Sequence, residues 1–65
     1  MRLIVNGVEQ DVAADTLAAA LQALEYVDAV VATALNGEFV PARARAVTPL
    51  AEGDRIEIVA PRQGG

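Results

Sequence analysis

Two Asn-Gly pairs restrict the fold of this sequence more than any other feature. Each pair lies between short runs that are rich in β-branched and aliphatic residues. Because asparagine and glycine both tolerate the positive φ angles of a type I′ turn, each pair predicts a two-residue β-hairpin. The pairs and their flanking runs are Asn6-Gly7 between residues 2–5 and 8–12, and Asn36-Gly37 between residues 30–35 and 38–40.

One amphipathic helix is predicted between the hairpins. Apolar residues recur there at the i, i+3, i+4 and i+7 spacing of a single helical face. They are Leu17, Ala20, Leu21 and Leu24. The side-chain oxygens of Asp15-Thr16 are both candidates for the N-cap, and we expect the helix to end near Tyr26. A partner-binding face is the alternative interpretation, but a domain this small needs its apolar groups for its own core.

A crossover is expected after the second hairpin. Pro41 has no amide hydrogen for a ladder bond and should end that strand. We expect residues 42–48 to be irregular, with Arg43 and Arg45 exposed and with Leu50 packed beneath them. After a turn at Glu52-Gly53-Asp54, residues 55–59 alternate as a last strand.

The predicted fold class is α+β, with a ββαββ order and one helix across a mixed sheet. The first and last strands should lie side by side and parallel. Residues 1–60 form the predicted domain, and residues 61–65 are expected to be a flexible tail because they contain no packing residue. Strand alternation directs one row of side chains into the core. That row is Leu3, Val5, Val8 and Val12, then Val31, Thr33 and Leu35, then Ile56 and Ile58.

Composition excludes several classes of function. The chain has no cysteine and no histidine, so the usual metal ligands and nucleophile–base pairs are missing, and a reducing cytoplasm is favoured. Its net charge is −4 and it contains no lysine, which argues against nucleic acid and against anionic membranes as partners. The carboxylates Glu9, Asp11, Glu52 and Asp54 are interpreted as solvated charges.

The reactive group that remains is the α-carboxylate of Gly65, which is ionised at neutral pH. Such a carboxylate can attack the α-phosphorus of ATP, and the acyl-adenylate is then open to a second nucleophile. Gly64 and Gly65 lack Cβ atoms, so they can thread a narrow channel. Gln63 and Arg62 precede them, and Pro61 should keep the segment extended. The plainer interpretation of Gly64-Gly65 is a trimmed end or a tag remnant.

The chain resembles the thiamine-biosynthesis sulfur carrier proteins, which are prokaryotic members of the ubiquitin-like β-grasp family. The resemblance covers nearly the whole chain, and its ordered set of motifs is more specific than any one of them. The motifs are Val5-Asn6-Gly7, Thr16-Leu17, Leu35-Asn36-Gly37, Val40-Pro41, Gly53-Asp54-Arg55-Ile56-Glu57-Ile58-Val59 and Gln63-Gly64-Gly65. Three places depart from the family pattern. Glu25-Tyr26 stands where a glycine often closes the helix, and Thr33 stands where an aliphatic residue is usual. A basic residue commonly follows the Val-Pro pair, but here Ala42 comes before Arg43.

The resemblance implies a cycle in which the chain is a co-substrate and not an enzyme. An E1-like enzyme would use ATP and magnesium to adenylate Gly65, with no cofactor bound by the chain itself. A sulfur donor would then form a thiocarboxylate, from which thiazole synthase would take the sulfur. From strand alternation we add a docking surface of Ala32, Ala34, Glu57 and Val59, on the outward face beside the root of the tail. Exposed small residues without a role are the alternative.

Other functions remain open from the sequence. The nearest is the small subunit of molybdopterin synthase, which has bulkier hydrophobic residues before its Gly-Gly, and carriers for other sulfur-containing metabolites share the same tail chemistry. From different classes come a ubiquitin-like protein modifier, which would join Gly65 to a lysine, and a plain interaction domain with an inert tail.

Overall fold

The computed structural model describes residues 1–26 and 30–60, and within these ranges it contains five strands, one α-helix and one 3₁₀ helix. The strands are β1 (Arg2–Val5), β2 (Val8–Asp11), β3 (Ala32–Leu35), β4 (Glu38–Val40) and β5 (Arg55–Val59). The helix α1 spans Leu17–Ala23 and the 3₁₀ helix spans Ala42–Val47.

The strands form a mixed sheet in the order β2-β1-β5-β3-β4. The two hairpins are antiparallel, and β5 lies between them, parallel to β1 and antiparallel to β3. The two predicted hairpins, the helix between them, the final strand and the parallel pairing of the first and last strands are therefore confirmed, but the element order is ββαβββ, one strand more than the predicted ββαββ. Because β5 is central, the chain leaves the sheet from its middle and not from an edge.

Both hairpin turns have the predicted backbone. Asn6 and Gly7 have φ angles of 50° and 82°, and Asn36 and Gly37 have 50° and 86°. Positive φ at both central residues is the mark of a type I′ turn, whose twist matches that of the flanking strands.

The helix begins where the sequence indicated and ends earlier. Thr16 is the N-cap, since its Oγ1 accepts a hydrogen bond from the Ala19 amide at 3.1 Å. The last helical residue is Ala23, so the predicted end near Tyr26 is wrong by about one turn. Glu25 takes a φ of 68°, and the Tyr26 amide donates back to the Leu21 carbonyl at 2.8 Å. This Schellman ending satisfies carbonyls of the last turn without a glycine.

The core lies between the helix and one face of the sheet. Its buried members are Leu3, Val5, Val12, Leu17, Ala20, Leu21, Val40, Ile56 and Ile58, together with the hydroxyl-bearing Thr33. Leu24, Val31, Leu35 and Leu50 are partly buried against this cluster. Val40 is a core residue that strand alternation did not single out.

Val8 corrects the predicted core. It pairs with buried Val5 across the first hairpin, yet 59% of it is exposed. Every residue of the edge strand β2 is exposed, whereas the other edge strand, β4, contains the buried Val40. Facing the inner side of a sheet buries a residue only where a second layer covers it.

Arg45 corrects the predicted crossover. The segment is a 3₁₀ helix and not irregular, and Arg43 is exposed as expected. Arg45 is half-buried, because its Nε donates to Thr33 Oγ1 at 3.0 Å and its Nη2 donates to the Val31 carbonyl at 2.6 Å. These bonds explain why a threonine can stand at position 33, where an aliphatic residue was expected. Its hydroxyl accepts from Arg45 and donates to the Val40 carbonyl at 2.8 Å.

Candidate functional site

The candidate site begins at the end of β5. Val59 is the last strand residue and the next residue, Ala60, is exposed. The residues predicted to carry the chemistry and to thread a partner's active site, namely Gly65, Gly64, Gln63 and Arg62, lie outside the described residues together with Pro61. The structure therefore shows the base from which that segment continues.

Two asparagine side chains hold β5 near its two ends. Near its start, Asn36 Oδ1 accepts from the Arg55 amide at 3.0 Å. Near its end, Asn6 Oδ1 accepts from the Ile58 amide at 2.8 Å, and Asn6 Nδ2 donates to the Ile58 carbonyl at 3.1 Å. Sequence reasoning assigned both asparagines to turns and missed these contacts, for which the local pattern carries no signal.

The four predicted docking residues lie together on the sheet face opposite the core, here called the outer face. Ala32 is directly opposite Val59 in the β3–β5 ladder, and Ala34 is directly opposite Glu57. Val59 is 63% exposed, Ala32 and Glu57 are also exposed, and Ala34 is half-buried. The structure thus brings all four into one patch beside the end of β5.

Phe39 belongs to the same patch and was missed. It pairs with Ala34 on the side away from Glu57, and 70% of it is exposed. The signal was present in the sequence, because an inward Val40 at the end of a strand requires an outward Phe39. An exposed phenylalanine next to Ala34 makes this part of the surface more apolar than the alanines alone.

A shallow apolar depression adjoins the patch. It is lined by Val30, Val31, Ala32 and Val59, and Val30 is 77% exposed. All four lining residues are aliphatic, so the depression suits an apolar side chain of a partner better than a charged ligand.

Charge divides the outer face into two halves. On the β1–β2 half, Arg2 Nη1 lies 3.6 Å from Glu9 Oε1, and the N-terminal amine lies 3.1 Å from Asp11 Oδ1. These pairs are exposed and contribute little to stability. On the β5–β3–β4 half, the central patch is apolar, with Glu57 as its acidic member. A partner that covers this half must therefore leave Glu57 in water or supply a cation to it.

In the part of the chain that the structure describes, no group of three or more carboxylates is arranged to hold a metal ion. Asp54 differs from the predicted solvated charges, since it is half-buried and its two carboxylate oxygens accept from Asn36 Nδ2 and from the Ala51 amide. Glu52 is exposed and accepts from the Arg2 amide at 3.0 Å. Both side chains stabilise a turn. Over the same residues, no helix has the length and apolar character that a membrane crossing requires.

Comparison with known proteins agrees with this architecture. The sequence matches the ThiS family over residues 3–65. The chain belongs to the ThiS family. A similar solved structure is the crystal structure of the thiamine biosynthesis protein ThiS from Geobacter metallireducens, at 33% identity, with 100% of both chains covered and a TM-score of 0.81. No curated protein sequence matches the chain.

Membership of the ThiS family confirms the resemblance and the ubiquitin-like β-grasp fold inferred from the sequence. Two of the departures from the family pattern now have a structural account. Glu25 takes the left-handed position that a glycine often fills, and Thr33 is hydrogen-bonded to Arg45. Neither residue lies in the apolar patch on the outer face.

Proposed function

We propose that this chain is a sulfur carrier of thiamine biosynthesis whose reactive group is the carboxylate of Gly65. The observation that carries the proposal is the family match, which extends through residue 65 and so includes Gly64-Gly65. The similar Geobacter metallireducens protein is a thiamine biosynthesis protein, and this similarity supports the pathway.

The proposed chemistry has two steps on one carbon. A carboxylate oxygen of Gly65 attacks the α-phosphorus of ATP, and pyrophosphate leaves. A sulfide-level nucleophile then attacks the acyl carbon, AMP leaves with the bridging oxygen, and a thiocarboxylate remains. An E1-like adenylating enzyme would supply the ATP and magnesium site, and thiazole synthase would accept the sulfur, so the chain acts as a co-substrate and not as an enzyme.

The apolar patch is proposed as the surface on which both partners dock. Its members are the four residues predicted from strand alternation, Ala32, Ala34, Glu57 and Val59, together with Phe39. Three features support this role: the patch is exposed, it is apolar at its centre, and it adjoins the end of the strand that leads to Gly65. A partner seated there would have its active site within reach of a five-residue segment, which spans at most about 18 Å when extended.

Intact-protein mass spectrometry tests the chemistry. The chain is incubated with an E1-like adenylating enzyme, Mg-ATP and a sulfide source. We expect a mass gain that matches the replacement of one oxygen by sulfur, and we expect deletion of Gly65 to abolish it. An unchanged mass with no adenylate formed would reject the proposal and favour a protein modifier or an interaction domain.

The docking surface needs a separate test with a matched control. Ala34→Arg places a long cation in the middle of the patch, whereas Ala46→Arg makes the same change on the exposed 3₁₀ helix. We expect Ala34→Arg to lower kcat/KM for adenylation by about 10-fold or more, the cost of one disrupted contact at the centre of an interface. Equal rates for the two variants would exclude the patch as a docking surface.

A further inference from the structure

The end of β5 is held from both sides, but by different groups. On the β3 side, the backbone ladder continues to the pair of Ala32 with Val59. On the β1 side, the parallel ladder stops at the pair of Val5 with Ile56, because the chain turns away at Asn6. The Asn6 amide makes the last backbone bond there, to the Ile56 carbonyl at 2.9 Å.

The Asn6 side chain continues this ladder for one more step. Its Oδ1 accepts from the Ile58 amide at 2.8 Å and its Nδ2 donates to the Ile58 carbonyl at 3.1 Å. One side-chain amide therefore pairs both backbone groups of Ile58, which in a continued parallel ladder would bond to two different residues of β1. Asparagine is suited to this position, since it carries an acceptor and donors on a short stem and tolerates the φ of 50° that the turn requires.

Given the function proposed above, on which this inference rests, we propose that Asn6 is a positioning residue for the carrier tail. By pairing with Ile58, it fixes the place and direction in which the chain leaves the sheet at Val59 and Ala60. Val59 also belongs to the docking patch, so the same contact keeps the patch and the base of the tail in one arrangement.

Loss of this contact has a defined consequence. The end of β5 would then be held by β3 alone, and a fraction of molecules would have Val59 and the base of the tail out of place. If a partner binds only the ordered arrangement, its apparent affinity for the carrier falls in proportion to the fraction of molecules that are displaced. The chemistry at Gly65, once bound, is unchanged. The expected signature is a higher KM for the carrier at constant kcat.

The chain contains a matched control. Asn36 has the same φ of 50°, is also followed by glycine, and its side chain also bonds to β5, but at Arg55 near the strand's start. Asn6→Gly and Asn36→Gly both keep a glycine-compatible turn and remove one side-chain amide. The two variants therefore differ chiefly in which end of β5 they release.

Hydrogen exchange tests the structural half of the inference. We expect Asn6→Gly to lower the protection of the Ile58 amide by about 10-fold relative to the global stability of the variant, because its hydrogen bond is lost. In Asn36→Gly, the protection of the Ile58 amide relative to the global stability of that variant should equal the wild-type value. Equal protection of this amide in both variants would overturn the inference.

Steady-state adenylation tests the functional half. We expect Asn6→Gly to raise the KM for the carrier by about fivefold with kcat unchanged, and Asn36→Gly to keep both wild-type values. Asn6→Asp is a second variant that keeps the side-chain size and the Oδ1 acceptor but places an oxygen against the Ile58 carbonyl, and it should raise KM as well. A wild-type chain that is never adenylated refutes the proposed function together with this inference. Adenylation of the wild type with equal KM values for Asn6→Gly and Asn36→Gly refutes the inference alone.

Discussion

Replacement of Thr33 by valine should destabilise the fold, although valine has nearly the same shape and is more apolar. Thr33 is 2% exposed, and its hydroxyl both donates to the Val40 carbonyl and accepts from Arg45 Nε. A neutral hydrogen bond contributes about 1 kcal/mol and one to a charged group about 2 kcal/mol. Burial of the added methyl group stabilises the folded state by about 0.8 kcal/mol. We therefore expect Thr33→Val to lower the free energy of unfolding by about 2 kcal/mol.

The same reasoning predicts coupling between Thr33 and Arg45. In Thr33→Val the half-buried guanidinium keeps its bond to the Val31 carbonyl and loses its hydroxyl partner. Arg45→Met removes the charge while keeping much of the packing. The double variant Thr33→Val/Arg45→Met contains no guanidinium that has lost its hydroxyl partner. We therefore expect its loss of unfolding free energy to be about 1 kcal/mol smaller than the sum of the losses in the two single variants.

Thermal unfolding followed by circular dichroism measures these changes. For a domain of this size, 1 kcal/mol shifts Tm by about 4–8 °C, so Thr33→Val should lower Tm by about 10 °C. Thr48→Val is the control, since it removes one neutral bond, from Thr48 Oγ1 to the Ala44 carbonyl at 2.7 Å. The added methyl offsets part of that loss of about 1 kcal/mol, so Thr48→Val should cost well under half as much as Thr33→Val. A Thr33→Val protein as stable as wild type, or strictly additive single and double variants, would refute the reasoning.

Two further predictions concern stability. Glu25→Gly should raise the free energy of unfolding by about 0.5–1 kcal/mol, because glycine adopts the left-handed C′ position without the Cβ clash that glutamate has at φ 68°; urea denaturation with an unchanged or lower midpoint would contradict this. Val40→Ala should cost about 2 kcal/mol in the same assay, since Val40 is 8% exposed in the core. Val8→Ala, its matched control at 59% exposure, should stay within about 0.5 kcal/mol, and similar losses for the two variants would show that β2 is covered after all.

Much of the fold was predictable because its signals are local. Asn-Gly tolerates positive φ at both residues, so each hairpin is specified by a pair of neighbours in the chain. The spacing of Leu17, Ala20 and Leu21 places them on one face whatever that face packs against. The pattern of the last strand likewise directs Ile56 and Ile58 inward, and their burial is confirmed.

The candidate site was predictable to a similar extent. Alternation places Ala32 and Ala34 on the outer face, and it also specifies Phe39 once Val40 is known to face the core. The role of Gly65 stays a prediction, since that residue lies outside the described residues.

Tertiary structure alone decided the remaining contacts, because they join residues that local patterns do not relate. Asn6 and Ile58 are separated by 52 positions, so no turn propensity reveals that the side chain of one continues the ladder of the other. Arg45 is half-buried only because a 3₁₀ helix brings it to Thr33. Val8 is exposed although it faces the same side as buried Val5, because nothing in the local pattern specifies whether another element packs over β2. Local sequence patterns therefore specify which backbone conformations and which faces are favoured. Burial and the choice of hydrogen-bond partner depend on which distant residues the fold packs against them.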